Sequence, residues 1–137
     1  MQIYIPTIEQ VIATNKYLCE QQGNPFSVLE RGKIESALHS AFYPGSYPFS
    51  AGGVAKIAGA LCFYLVKAHA FMDGNKRTGA LVAVVFMEEN GWGLSYPKRE
   101  ENGKTGFANI VESCAASSVN KDQVIDWFDH HKILLED

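Results

Sequence analysis

The chain has 137 residues, 47% of them hydrophobic and 20% charged, with a formal net charge of -3. That length and mixture describe one globular domain over 1–137 with room for a real core, and they exclude a disordered segment. The acidic balance argues against a general nucleic-acid binder, which is ordinarily basic, so no direct nucleic-acid partner is expected. In chain order, Thr7 with Gln10 reads as a capping box, and Ile8, Val11, Ile12 and Leu18 lay an apolar stripe on a first helix that ends near Gly23. Asn24-Pro25 is a break. Ser27 with Glu30 opens a second helical stretch through Ile34, Ala37, Leu38 and Ala41, and Gly32 weakens its first half enough to move the firm start toward Lys33. Between 42 and 53 lie two prolines, three glycines and four aromatics, so this segment is a loop and not a helix. Its aromatic residues, Tyr43, Tyr47 and Phe49 among them, suit packing and recognition alike.

A third helix is predicted over 51–68, where Val54, Ile57, Ala58, Leu61, Leu65 and Ala68 recur at steps of three and four. A fourth is predicted over 74–90. Its 81–87 run is apolar all round, which requires a place inside the protein. Val82, Val84 and Val85 favour a strand there, but the segment runs on without Gly or Pro to Gly91, a residue suited to the left-handed position that stops a helix. The polar stretch 92–106 reads as a connecting loop. Within it Gly103-Lys104-Thr105 lacks the first glycine of a phosphate-binding loop, because position 98 is Lys98. Phe107, Ile110, Val111, Cys114 and Ala115 fit a fifth helix. Asn120 with Gln123 caps a last one, on which Val124, Trp127, Phe128, His131 and Leu135 share a face. The expected architecture is an all-α bundle of about six helices around the 74–90 helix, with the aromatic 42–53 loop before its motif.

Cys19, Cys62 and Cys114 are odd in number and widely spaced, which suits small core residues and suits neither a disulfide framework nor a zinc site. His130-His131 are adjacent on a helix, point in different directions and lack a spaced third ligand, so they read as a solvated face. The first residues have no basic region followed by an apolar one, and the run at 80–87 falls far short of the roughly 20 residues that span a bilayer. A cytoplasmic protein with no membrane partner is expected.

Chemistry concentrates in 69–80, between the third and fourth helices. A His, an acid, an amide and two cations fall within nine residues, more than capping requires, although turn and capping chemistry alone would explain Asp73, Gly74 and Asn75. His69 can titrate near neutrality and is the candidate general base. Asp73 is a hard oxygen ligand suited to Mg²⁺, and equally an N-cap. Gly74, Asn75 and the following amides would form an anion hole at a helix start, with Lys76 and Arg77 beside it to hold a phosphate. Phe71 alternates with these polar residues and plugs the loop into the core.

The contiguous His69-x-Phe71-x-Asp73-Gly74-Asn75-Lys76-Arg77 resembles the signature of the Fic/Doc proteins, in the form carried by death-on-curing (Doc) toxins. The likeness extends more weakly over nearly the whole chain, through helices before and after, a similar length and Glu35-Ser36-Ala37-Leu38 upstream. The AMP-transferring Fic branch has Gly where this chain has Lys76 and a second Arg where it has Ala80. Doc toxins often have Ala where it has Gly74. The resemblance implies a Doc-like toxin that uses ATP and Mg²⁺ to move the γ-phosphate onto a threonine of elongation factor Tu, and so blocks translation. It also implies a flap at Tyr43, Tyr47 and Phe49 that holds the target segment. Self-restraining Fic proteins carry a Ser or Thr, three residues, then Glu and Gly or Asn; Ser27 to Glu30-Arg31-Gly32 has the wrong spacing, so a small antitoxin encoded separately is expected. The alternatives are AMP transfer to a protein hydroxyl and a catalytically silent interaction module.

Overall fold

A computed structural model of the protein describes residues 3–43 and 53–136. The first helix, α1 (Ile8–Gln22), starts where the sequence predicts: Thr7 Oγ1 accepts from Gln10 N–H at 3.1 Å, and Gln10 Oε1 accepts from Thr7 N–H at 2.8 Å. It stops at Gly23, whose φ of 69° lets its N–H turn back onto the last carbonyls. α2 (Arg31–Phe42) departs from expectation, because Ser27 caps nothing and Gly32 lies inside the helix. The physical reason lies in segment 27–30, whose extended backbone bonds elsewhere. Leu29 and Glu30 donate to Ala70 O at 2.8 and 3.1 Å, and Ser27 O accepts from Met72 N–H at 3.0 Å, which makes an antiparallel bridge between Val28 and Phe71.

α3 (Val54–Ala68) and α4 (Asn75–Glu89) follow, and the helix at the centre is α3, not α4 as the hydrophobic run at 81–87 suggests. α3 packs on α2, α4, α5 (Gly106–Ala115) and α6 (Lys121–His131), and nine of its residues are buried, Ile57, Ala58, Leu61, Cys62 and Val66 without exposure. α4 is covered on one side only: Val82, Ala83, Phe86 and Met87 are buried while Val85 is 39% exposed. Two glycines set how closely the helices approach. A methyl at Gly59 would lie 2.7 Å from Ile125 Cα of α6, and one at Gly79 would lie 2.8 Å from Val66 Cγ2 of α3.

The 92–106 segment is not simply a loop. Trp92–Leu94 forms β1, which pairs antiparallel with β2 (Lys132–Leu134) in the register Trp92 to Leu134. α6 accordingly ends at His131, and Leu135 leaves the helical face predicted for it to donate to Gly91 O at 3.0 Å. α5 begins at Thr105, whose Oγ1 accepts from Ala108 N–H at 2.9 Å, and α6 at Asn120, in the predicted capping box with Gln123. All three cysteines are free and buried. Beyond this two-stranded sheet the described residues form an all-α bundle, and none of their helices is long and apolar enough to cross a membrane.

Candidate active site

The residues between α3 and α4 are held from three directions. Segment 27–30 bonds Ala70 and Met72 from one side, and Phe71, 4% exposed, drops its ring into the core as expected. From the helix that follows, the Asn75 side chain spans the Phe71 peptide groups: Oδ1 accepts from Phe71 N–H at 3.1 Å, and Nδ2 donates to Phe71 O at 2.9 Å. From α1, Asn15 Nδ2 donates to Asp73 O at 2.8 Å. The turn they fix carries two residues in left-handed backbone, His69 (φ 48°) at the C-cap of α3 and Gly74 (φ 76°) at the N-cap of α4. An L side chain at such an angle is strained by about 1 to 2 kcal/mol, so His69 occupies its position against a local conformational preference.

A cavity of about 640 Å³ opens beside this turn, and His69, Asp73, Gly74, Asn75, Lys76 and Arg77 all line it. The predicted cluster is thus brought together around one space. The His69 ring is exposed and makes no hydrogen bond among the described residues, so it is available to a bound group. Asp73 is not the N-cap, since Gly74 holds that place; one carboxylate oxygen accepts from Gly74 N–H at 2.7 Å, and the other has no partner among the described residues. The first bond returning to the α4 cap is from Thr78 N–H to Gly74 O at 2.9 Å. The amides of Asn75, Lys76 and Arg77 therefore have no helical carbonyl to bond, as at any helix start, and they present positive potential at the cavity. Lys76 and Arg77 are exposed and form no ion pair among the described residues. The Asn75 side-chain amide is spent on Phe71, so only its backbone N–H is left for the anion hole expected at this helix start.

Of the aromatic flap residues, Tyr43 caps α2, is 42% exposed and stacks on His39 with ring centroids 5.6 Å apart. Tyr47 and Phe49 lie outside the described residues. Ala80 is half-buried against the core and does not line the cavity.

The opposite wall is one that motif reading does not find. Leu18, Cys19 and Gln22 come from α1, and Glu112, Ala115 and Ala116 from α5 and its cap. Lys104 bonds Glu112 at 2.8 Å and holds its carboxyl below the usual range, with a smaller contribution from the charge of Lys76 across the cavity. Burial pushes the Cys19 thiol up, and the Asp73 carboxylate beside it adds to the shift. Among the described residues no three His, Cys, Asp or Glu side chains converge on a metal position. Asp73 with its unpartnered oxygen nevertheless suits Mg²⁺, which takes one or two carboxylates and completes its shell with water and substrate phosphates. The free amides and two cations suit those phosphates, and the cavity volume is in the range of small-molecule sites.

The sequence model of the Fic/DOC family matches residues 5–87, which is more than half of the chain and includes α1 to α4 up to Met87. No curated protein matches the chain.

Proposed function

The chain belongs to the Fic/DOC family, whose members are in general nucleotide-dependent transferases that modify proteins, and from that premise we propose that it is a Doc-type toxin kinase. The reaction is transfer of the γ-phosphate of ATP to a hydroxyl of a translation factor resembling elongation factor Tu, and its consequence is arrested translation. The observation that carries this reading is the convergence of His69, Asp73, the first amides of α4, Lys76 and Arg77 on one cavity. His69 takes the proton from the target hydroxyl, whose oxygen bonds to the γ-phosphorus as the bond to ADP breaks. The amides of Asn75, Lys76 and Arg77 with both cationic side chains hold the phosphate oxygens where negative charge builds up. Asp73 would hold Mg²⁺, which when bound spreads the charge of the transferring group.

Phosphate is favoured over AMP by the distribution of cations. Lys76 lines the cavity, while the methyl of Ala80 contributes no charge to it. The terminal phosphate is then the one drawn to the amides and Lys76, next to His69. The exposed Tyr43 suits a flap over the target segment, a role proposed also for Tyr47 and Phe49. A small, partly disordered antitoxin supplied in trans is the proposed regulator, because the self-inhibitory spacing is absent around Ser27 and Glu30.

Incubation of the protein with a bacterial cell extract and ATP labelled on either the α or the γ phosphate tests this reading. Label from the γ position alone, with intact mass showing one added phosphate, is the expected result. Label from the α position would replace kinase by AMP transferase, and no label from either would leave only a binding module.

A further inference from the structure

Asn15 is fully buried in the middle of α1, the one polar side chain on a stripe otherwise made of Ile8, Val11, Ile12, Leu18 and Cys19. A buried amide is tolerated where it is bonded, and all of the bonds of this side chain lead to the start of α4 or to its own helix. Nδ2 donates to Asp73 O at 2.8 Å and to Thr78 Oγ1 at 3.0 Å, and Oδ1 accepts from Cys19 Sγ at 3.6 Å. Asn15 thereby grips both ends of segment 73–78, which carries the free amides, Lys76 and Arg77.

Its grip on Asp73 has a consequence on the other side of the same peptide. In a trans peptide the C=O and N–H point in opposite directions, so a carbonyl of Asp73 drawn into α1 turns the Gly74 N–H away from α1. That N–H is where the Asp73 carboxylate is anchored, at 2.7 Å. Gly74 fits this arrangement closely, since a methyl there would come within 3.0 Å of Asn15 Nδ2. We propose that Asn15 is a positioning residue, which fixes the Asp73–Gly74 peptide and through it the carboxylate oxygen that Asp73 offers to the metal of a bound nucleotide. This rests on the reading of Asp73 as the Mg²⁺ ligand.

The test is calorimetric titration of the full chain with ATP, once with Mg²⁺ and once with EDTA, for the parent and for Asn15→Leu, which keeps the volume and removes the donor. In the parent, Mg²⁺ tightens ATP binding. In Asn15→Leu the Mg²⁺-dependent tightening shrinks by about tenfold, the usual loss when a group that orients a metal ligand is removed, while metal-free ATP binds within about twofold of the parent. A merely structural role would leave the tightening intact, or would weaken both affinities in parallel; either result overturns the proposal. Should Asn15→Leu fail to fold by circular dichroism, Thr78→Val removes the second anchor of Asn15, with a smaller loss of the same kind expected and an unchanged Mg²⁺ effect again overturning it. A parent whose ATP affinity is indifferent to Mg²⁺ would remove the reading of Asp73 itself, a failure visible without any variant.

Discussion

His69 sets local preference against the base role proposed for it. At φ 48° and ψ 45° it ends α3 in a conformation suited to glycine. His69→Gly is therefore expected to raise the unfolding free energy by about 1 kcal/mol, since it relieves the left-handed strain, while losing the same base contribution to transfer as His69→Ala. His69→Ala keeps the strain, folds like the parent and lowers transfer by a factor of about 10² to 10⁴, the usual contribution of a general base. Urea titration measures the first effect, and growth of expressing cells with a circular dichroism control measures the second. A folded His69→Ala protein that still stops growth would remove the base assignment.

Helix contacts put opposite demands on two glycines that look alike in sequence. Gly32 is exposed in the first turn of α2, and a methyl added there meets nothing within 4 Å. Gly32→Ala should stabilise the protein by about 0.5 to 1 kcal/mol through helix propensity and a less free unfolded chain. Gly59 sits where α3 meets α6, and a methyl there would stand 2.7 Å from Ile125 Cα and 3.2 Å from Val124 O. Those are backbone atoms and cannot step aside, so Gly59→Ala should destabilise by about 1 to 3 kcal/mol despite its better helix propensity. Denaturant midpoints of the two variants, measured side by side, are expected to move in opposite directions.

At the scale of the whole molecule, burial of all three thiols gives a direct check on the packing. Cys62 and Cys114 are without exposure, and burial raises both thiols above their ordinary range. At pH 8 a thiol reagent should leave both unlabelled in the folded chain for as long as it stays folded, with Cys19, on the cavity wall, the first of the three to react. In denaturant all three should react at once. Rapid native labelling of Cys62 would contradict α3 as the central helix.

The sequence by itself determined what depends on neighbours along the chain. Capping boxes at Thr7 and Asn120, the stops at Gly23 and Gly91, six helices, a plugged Phe71 and a polar cluster between α3 and α4 are all readable there, because each follows from residues a few positions apart. Only the tertiary structure decided what depends on residues far apart. Ser27 and Glu30 have the letters of a capping box, yet their backbone is claimed by the 70–72 segment. Leu135 fits a helical stripe, yet β2 pairs with β1 and takes it to Gly91. The run at 81–87 is as apolar as a central helix, but α3 has more neighbours to bury against and takes the centre. In the site the same division holds. The motif residues stand together because they are consecutive, whereas Glu112 reaches the cavity, and Asn15 the Asp73 carbonyl, only through the packing of α5 and α1. A polar residue interrupting an apolar helical stripe was the one local sign of Asn15, and its partner 58 positions away has no signature in the sequence around it.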